Sequence, residues 1–139
     1  MFLWYAADMD DETVTSVPSA SCDCAVDEAE HARLARVAKA LSDPVRLGML
    51  DIMSQGRGCC GFVDPAERGV PGAGDPEGIC VCEFQERFGL AQSRASYHLR
   101  VLREAGLVRE ETRGKWSFYS LDREAASAAV DEVRGVLGV

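Results

Sequence analysis

Residues 90–108, LAQSRASYHLRVLREAGLV, constrain the fold of this chain more than any other stretch. The apolar residues Ala95, Leu99, Leu102 and Ala105 recur at i, i+4, i+7 and i+10, the spacing of a helix face that buries against a core. Gln92, Ser93, Ser96, Tyr97 and Arg100 lie away from that stripe. Such side chains donate to, or accept from, base edges and phosphates. Arg94, His98 and Arg103 complete the candidate DNA-reading set on this segment. Gly106 then ends the helix, because a left-handed residue after a helix costs least as glycine.

Charge at first argues against a nucleic-acid partner, with 23 Asp and Glu against 15 Lys and Arg. Its distribution reverses that reading. Residues 1–30 hold eight acids and no Lys or Arg, so the other 109 residues carry 15 acids against all 15 bases. Residues 87–115 carry seven bases and three acids, a local excess of +4 around the candidate recognition helix. Clustered positive charge is what phosphate contacts require.

Residues 1–25 mix acids, Ser and Thr without periodicity and read as a flexible acidic arm carrying Cys22 and Cys24. The start of the chain lacks the basic and long apolar regions of a secretion signal, and no run is long enough to span a bilayer, so a cytoplasmic location is expected. Residues 26–139 read as one domain. A first helix carries acids Asp27, Glu28 and Glu30 ahead of Arg33, Arg36 and Lys39, with Leu34, Val37, Ala38 and Leu41 as its apolar stripe. Ser42, Asp43 and Pro44 start a second helix, which runs to about Gln55 and buries Val45, Leu47 or Gly48, Leu50 and Met53 before Gly56 ends it.

Residues 56–78 form a 23-residue insertion with seven Gly and three Pro, too broken for helix or strand, and contain Cys59 and Cys60. Residues 79–88 read as the first helix of a helix-turn-helix, with Val81, Phe84 and Phe88 buried and Gly89 as the turn. Beyond Gly106, strand-like runs at 107–111 and 116–121 meet across Arg113-Gly114-Lys115, a hairpin whose basic tip is suited to a phosphate or the minor groove. Residues 125–137 form a last amphipathic helix with Ala126, Ala129, Val130, Val133 and Leu137 on one side. The expected fold is mainly α with a small β-hairpin wing, a winged helix-turn-helix. The core available without arm and insertion is small, so pairing of two chains helps it.

The residues Gln92, Ser93, Ser96, His98, Leu99, Leu102, Ala105, Gly106, Leu107 and Val108 resemble the recognition helix of the ArsR/SmtB family of metal-responsive repressors, which carries SQS-x-x-SHHL-x-x-L-x-x-AGLV. Tyr97 stands where His is common, and Ala91 where a capping Ser is usual, a loss of roughly 1 kcal/mol. ALSDPVRLGMLDIM at residues 40–53 is similar to the family's ALADPTRLRILxxL, with Gly48 replacing a longer residue at a cost of about 1 kcal/mol relative to Ala. The insertion is a departure, since relatives join these helices by a shorter link. The resemblance implies a homodimer through helix 1 and the last helix, bound to a palindromic double-stranded DNA operator.

Ile79-Cys80-Val81-Cys82-Glu83 resembles the family's LCVCDL motif, used by arsenite- and cadmium/lead-responsive members. Thiolates are soft ligands that favour thiophilic ions, and a helix N-terminus lowers a thiol pKa. Residues two apart on a regular helix point about 200° apart, so an ion shared by Cys80 and Cys82 would have to unwind the turn. As(III) or Sb(III) needs one more thiolate, and Cd(II), Pb(II) or Zn(II) two more. The resemblance leaves three sets open: Cys59 and Cys60 with Cys80 and Cys82; Cys22 and Cys24 with the same pair across a dimer; or the arm and loop pairs alone. Three thiolates favour As(III) or Sb(III) as inducer. The family's zinc site on the last helix is absent, since the histidines are His31 and His98.

A thiol redox or persulfide sensor on the same scaffold is the nearest rival. An enzyme is disfavoured because the sequence holds no Cys-His-Asp arrangement, phosphate loop or paired acids. Structural zinc is disfavoured because C-x-C is atypical of a C-x₂₋₄-C knuckle.

Overall fold

A computed structural model of the chain describes residues 27–57, 65–69 and 77–139. The acidic arm, Cys22, Cys24, Cys59, Cys60 and most of the insertion lie outside the described residues.

Helix α1 (Glu28–Leu41) starts at Asp27, whose carboxylate accepts from the N–H groups of Ala29 and Glu30 at 3.0 and 3.2 Å. Helix α2 (Pro44–Gln55) starts the same way, with Asp43 accepting from Val45 and Arg46 at 2.8 and 3.3 Å, and it ends at Gly56 with φ 77°. Strand β1 (Ile79–Cys80) leads into α3 (Val81–Phe88), and Gly89, left-handed at φ 62°, turns the chain into α4 (Gln92–Glu104). Strands β2 (Val108–Arg113) and β3 (Trp116–Leu121) form the wing, and α5 (Arg123–Leu137) follows behind an Asp122 cap. The antiparallel sheet has the order β1-β3-β2, with Arg113 opposite Trp116 at the tip and Cys80 opposite Phe118 at the inner edge.

One core joins these elements. Met49, Phe84, Leu99 and Leu102 are fully buried, with Val37, Ile79 and Tyr119 around them. Each such side chain contributes about 1.5–3 kcal/mol of burial.

Three apolar faces differ from their sequence reading. Helix α1 buries Leu34, Val37 and Ala40, whereas Ala38 faces solvent and Leu41 is 38 % exposed. Helix α2 buries Arg46, Met49, Ile52 and Met53, leaving Leu47 48 % exposed. The reason is Arg46. Its guanidinium donates to the Ala40 carbonyl at 2.7 Å and the Lys39 carbonyl at 3.0 Å, satisfying acceptors that the last turn of α1 leaves open. A buried cation with its hydrogen bonds made rotates α2 so that its neighbours in the apolar face shift with it. Gly48 also has its explanation, because a Cβ there would lie 2.9 Å from the Phe88 ring; the glycine lets the end of α3 rest on α2.

The third difference is α5, which buries Ala129 but exposes Val130, Val133 and Leu137. With Val37, Leu41 and Leu50, the residues Ala129, Val130 and Val133 border an open apolar groove of about 490 Å³. Arg33 of α1 pairs with Glu132 of α5 across one end. Among the described residues, no helix is long and apolar enough to cross a membrane.

Candidate nucleic-acid interface and thiol pair

Helix α4 packs Ala95, Leu99 and Leu102 inward and presents its polar face to an open groove of about 620 Å³ beside the wing. Gln92, Ser93, Ser96, Tyr97, Arg100 and Arg103 line that groove from the helix, and Lys115 and Trp116 line it from the wing. Ala91 provides no side-chain cap, so the first turn is closed only by its carbonyl, which accepts from Arg94 and Ala95 at 3.0 Å.

Three members of the DNA-reading set stand elsewhere. His98 is 4 % exposed and turned into the core, where its Nδ1 lies 3.3 Å from Nη1 of Arg46; it does not face DNA, contrary to the sequence reading. The helix pattern alone could not separate it from its polar neighbours, because only the buried Arg46 gives an inward histidine its partner. Arg94 is exposed but lies outside the groove. Arg113 folds back from the wing tip, its guanidinium 4.1 Å above the Phe118 ring and its Nε 2.9 Å from Glu111. Arg103 remains in the groove but pairs with Glu110. Burial raises the Glu110 carboxyl, yet hydrogen bonds from Arg103, Tyr119 and Ser117 outweigh it and hold the group below its ordinary value.

Cys80 and Cys82 line the same groove, with Val81 and Gln85 beside them. Residue 80 is not inside a helix. It is the last residue of β1 and the N-cap of α3, extended at φ −71° and ψ 150°, which swings its side chain toward Cys82 in the first turn. The two sulfurs are 2.9 Å apart, so the 200° separation expected of a regular helix does not apply and no unwinding is needed to bring them together. The expected lowering of the thiol pKa is also absent for Cys80. Burial, then the hydrogen bond with Cys82, pushes its thiol up to about 12. The sulfurs rest on the wing: Cys80 and Phe118 pack together, with Cys82 and Trp116 against them. Lys115 lies 5.6 Å above the Trp116 ring.

Residues 77–110, which span β1, the helix-turn-helix and the start of β2, match the model for "Bacterial regulatory protein, arsR family". The chain is 32% identical over 98 residues to the uncharacterized HTH-type transcriptional regulator YbzH of Bacillus subtilis (strain 168), a match covering 68% of this chain and 89% of that protein. The chain belongs to the ArsR family. It is 43% identical over 53 residues to the arsenical resistance operon repressor of the same organism, covering 38% of this chain and only half of that repressor's length. Among solved structures, the homodimeric winged helix-turn-helix DNA-binding domain of a possible ArsR-family regulator from Mycobacterium bovis superposes with a TM-score of 0.52 at 23% identity, over 82% of this chain and 89% of that one. The family model and the matched relatives are all those of transcriptional regulators.

This ArsR-family chain carries two further residues that sequence reading did not single out. Glu83 is 1 % exposed, and its carboxylate accepts from the Cys80 N–H at 2.6 Å and from both arms of Arg57 at 3.0 and 2.5 Å. Arg57 also donates to the Gly78 carbonyl at 2.7 Å. A glutamate three residues after an N-cap is the capping-box spacing, and that was the available signal. Arg57 thereby ties the two ends of the insertion to each other beside the thiols. Among the described residues, no group of three His, Cys, Asp or Glu side chains suits a metal ion. Any ion held by Cys80 and Cys82 therefore draws further ligands from outside this set.

Proposed function

We propose that this chain is a cytoplasmic, homodimeric repressor of a palindromic operator, released when As(III) or Sb(III) is held by cysteine thiolates. The observation that carries this reading is that Cys80 and Cys82 line the same groove as the polar face of α4 and the wing. Gln92, Ser93, Ser96 and Tyr97 read the major groove, while Arg94, Arg100, Arg103 and Lys115 answer to the backbone. Two thiolates bound to one ion at about 2.3 Å each sit farther apart than the present pair of sulfurs. The pair at 2.9 Å meets that by side-chain rotation, and the movement falls on Phe118 and Trp116 beneath the wing.

Cys59 and Cys60 are the favoured source of the third thiolate. They follow Arg57 by two and three positions, and Arg57 is fastened to Gly78 and Glu83 next to the thiol pair. At about 3.8 Å per residue they are tethered within reach. Cys22 and Cys24 supply the alternative, and Cd(II), Pb(II) or Zn(II) would need a fourth ligand. The uncovered apolar stripe of α5 supports dimerisation, which sets two recognition helices about 34–36 Å apart on one face of DNA.

Binding of reduced protein to an operator fragment, followed by fluorescence anisotropy, tests the reading. Arsenite should weaken it some 5- to 150-fold, the range of a coupling of about 1–3 kcal/mol. Cys80→Ser and Cys82→Ser should bind DNA and ignore arsenite, and serine variants of the other four cysteines identify the third ligand. An affinity unmoved by arsenite overturns the sensor and leaves the repressor standing. Sulfurs this close also suit a redox sensor. In that case two of the six thiols resist alkylation until a reductant is added, whereas chelation alone restores all six after ion binding.

A further inference from the structure

Helix α4 has a second groove on the side away from the wing. This cleft, about 310 Å³, lies between α1 and α4, and Tyr97 and Arg100 line it as well as the first. The ridge carrying those two residues is therefore flanked on both sides. On the far side stand Arg36 and Lys39, both exposed and one turn apart on α1, with Glu104 as the acid among the lining residues. Arg46 also borders the cleft, but its guanidinium is occupied by the Ala40 and Lys39 carbonyls and His98. Among the described residues, neither Arg36 nor Lys39 takes part in an ion pair.

A helix seated in the major groove, about 12 Å wide, has a sugar–phosphate backbone on either side. The wing, with Lys115, answers one of them. We propose that the α1–α4 cleft is a second phosphodiester site, in which Arg36 and Lys39, with Arg100 shared, hold a backbone phosphate of the strand opposite the wing. This rests on the DNA-binding reading above. It makes α1 part of the DNA interface, with a basic edge that fixes how deeply α4 sits. Phosphate contacts of this kind position a protein on the duplex without reading its sequence.

The test compares the wild type with Arg36→Ala/Lys39→Ala and the charge-preserving Arg36→Lys/Lys39→Arg on operator and unrelated duplexes over a range of salt. Each phosphate contact contributes about 0.9 to the slope of log affinity against log salt. With one contact per half-site, the alanine pair should flatten that slope by about 1 to 2, weaken both DNAs by the same factor and leave the thermal midpoint in place. The charge-preserving pair should keep the slope. Methylphosphonate linkages at the flanking positions should weaken wild type and leave the alanine pair indifferent. An unchanged slope overturns the inference while DNA binding itself stands. Tighter binding by the alanine pair also overturns it, since the cleft would then be holding acidic residues of the chain in place of DNA. A wild type that binds no duplex removes the proposed function and this inference together.

Discussion

His98 and Arg46 form a node at which three helices meet. Arg46 of α2 donates to the closing carbonyls of α1 and to Nδ1 of His98 on α4, which leaves the imidazole neutral with its proton on Nε2. Burial, joined by the positive fields of Arg46 and Arg94, holds the His98 pKa below its ordinary 6.5 against the opposing pull of Asp43. In the unfolded chain the imidazole takes up its proton near pH 6.5, before the folded one does. The stability that His98 supplies is thus complete above that pH and is lost as pH falls through it toward the folded value. Thermal melts between pH 7.5 and 5 should show the midpoint falling on acidification, and His98→Asn should flatten that dependence. An identical slope in the variant would refute the buried neutral imidazole.

At the level of elements, α4 is the helix least secured at its start. The Ala91 position offers a methyl where α1, α2 and α5 have an aspartate bonded to backbone N–H groups. Ala91→Ser should stabilise the fold by about 1 kcal/mol in denaturant unfolding. If thiol occupancy acts by displacing this helix, the same change should raise the arsenite concentration needed for release. The cap before Pro44 and the missing one at Ala91 were legible in the sequence because they depend on residues only two or three apart, whereas Asp27 and Asp122 were not read as caps. The polar face of α4 was legible for a similar reason. The rest of what escaped notice depends on distant partners. The phase of α2 follows from Arg46 reaching back to α1, and β1 exists because Ile79 and Cys80 pair with Tyr119 and Phe118 nearly forty residues later. The thiol geometry followed suit, since placing the helix start at Ile79 put Cys80 in a turn to which it does not belong.

For the whole molecule, the proposed dimer rests on the exposed apolar face of α5. Val130 and Val133 are 56 % and 39 % exposed in the single chain, beside the groove shared with α1 and α2. Val130→Glu/Val133→Glu should shift sedimentation to the monomer with little loss of helical signal, and should weaken operator binding by removing the second half-site contact. A dimer that survives both charges would place the interface elsewhere. The Arg57 clasp has a different consequence at this scale. By joining Gly78 and Glu83 to the end of α2, it makes the core indifferent to what lies between residues 58 and 76. Loop closure grows only by about 0.6 kcal/mol per doubling of length. The insertion is consequently a place where sequence can be lengthened, shortened or given new ligands without disturbing how α3 and α4 sit on the core, and any effect of such changes on sensing runs through Cys59 and Cys60.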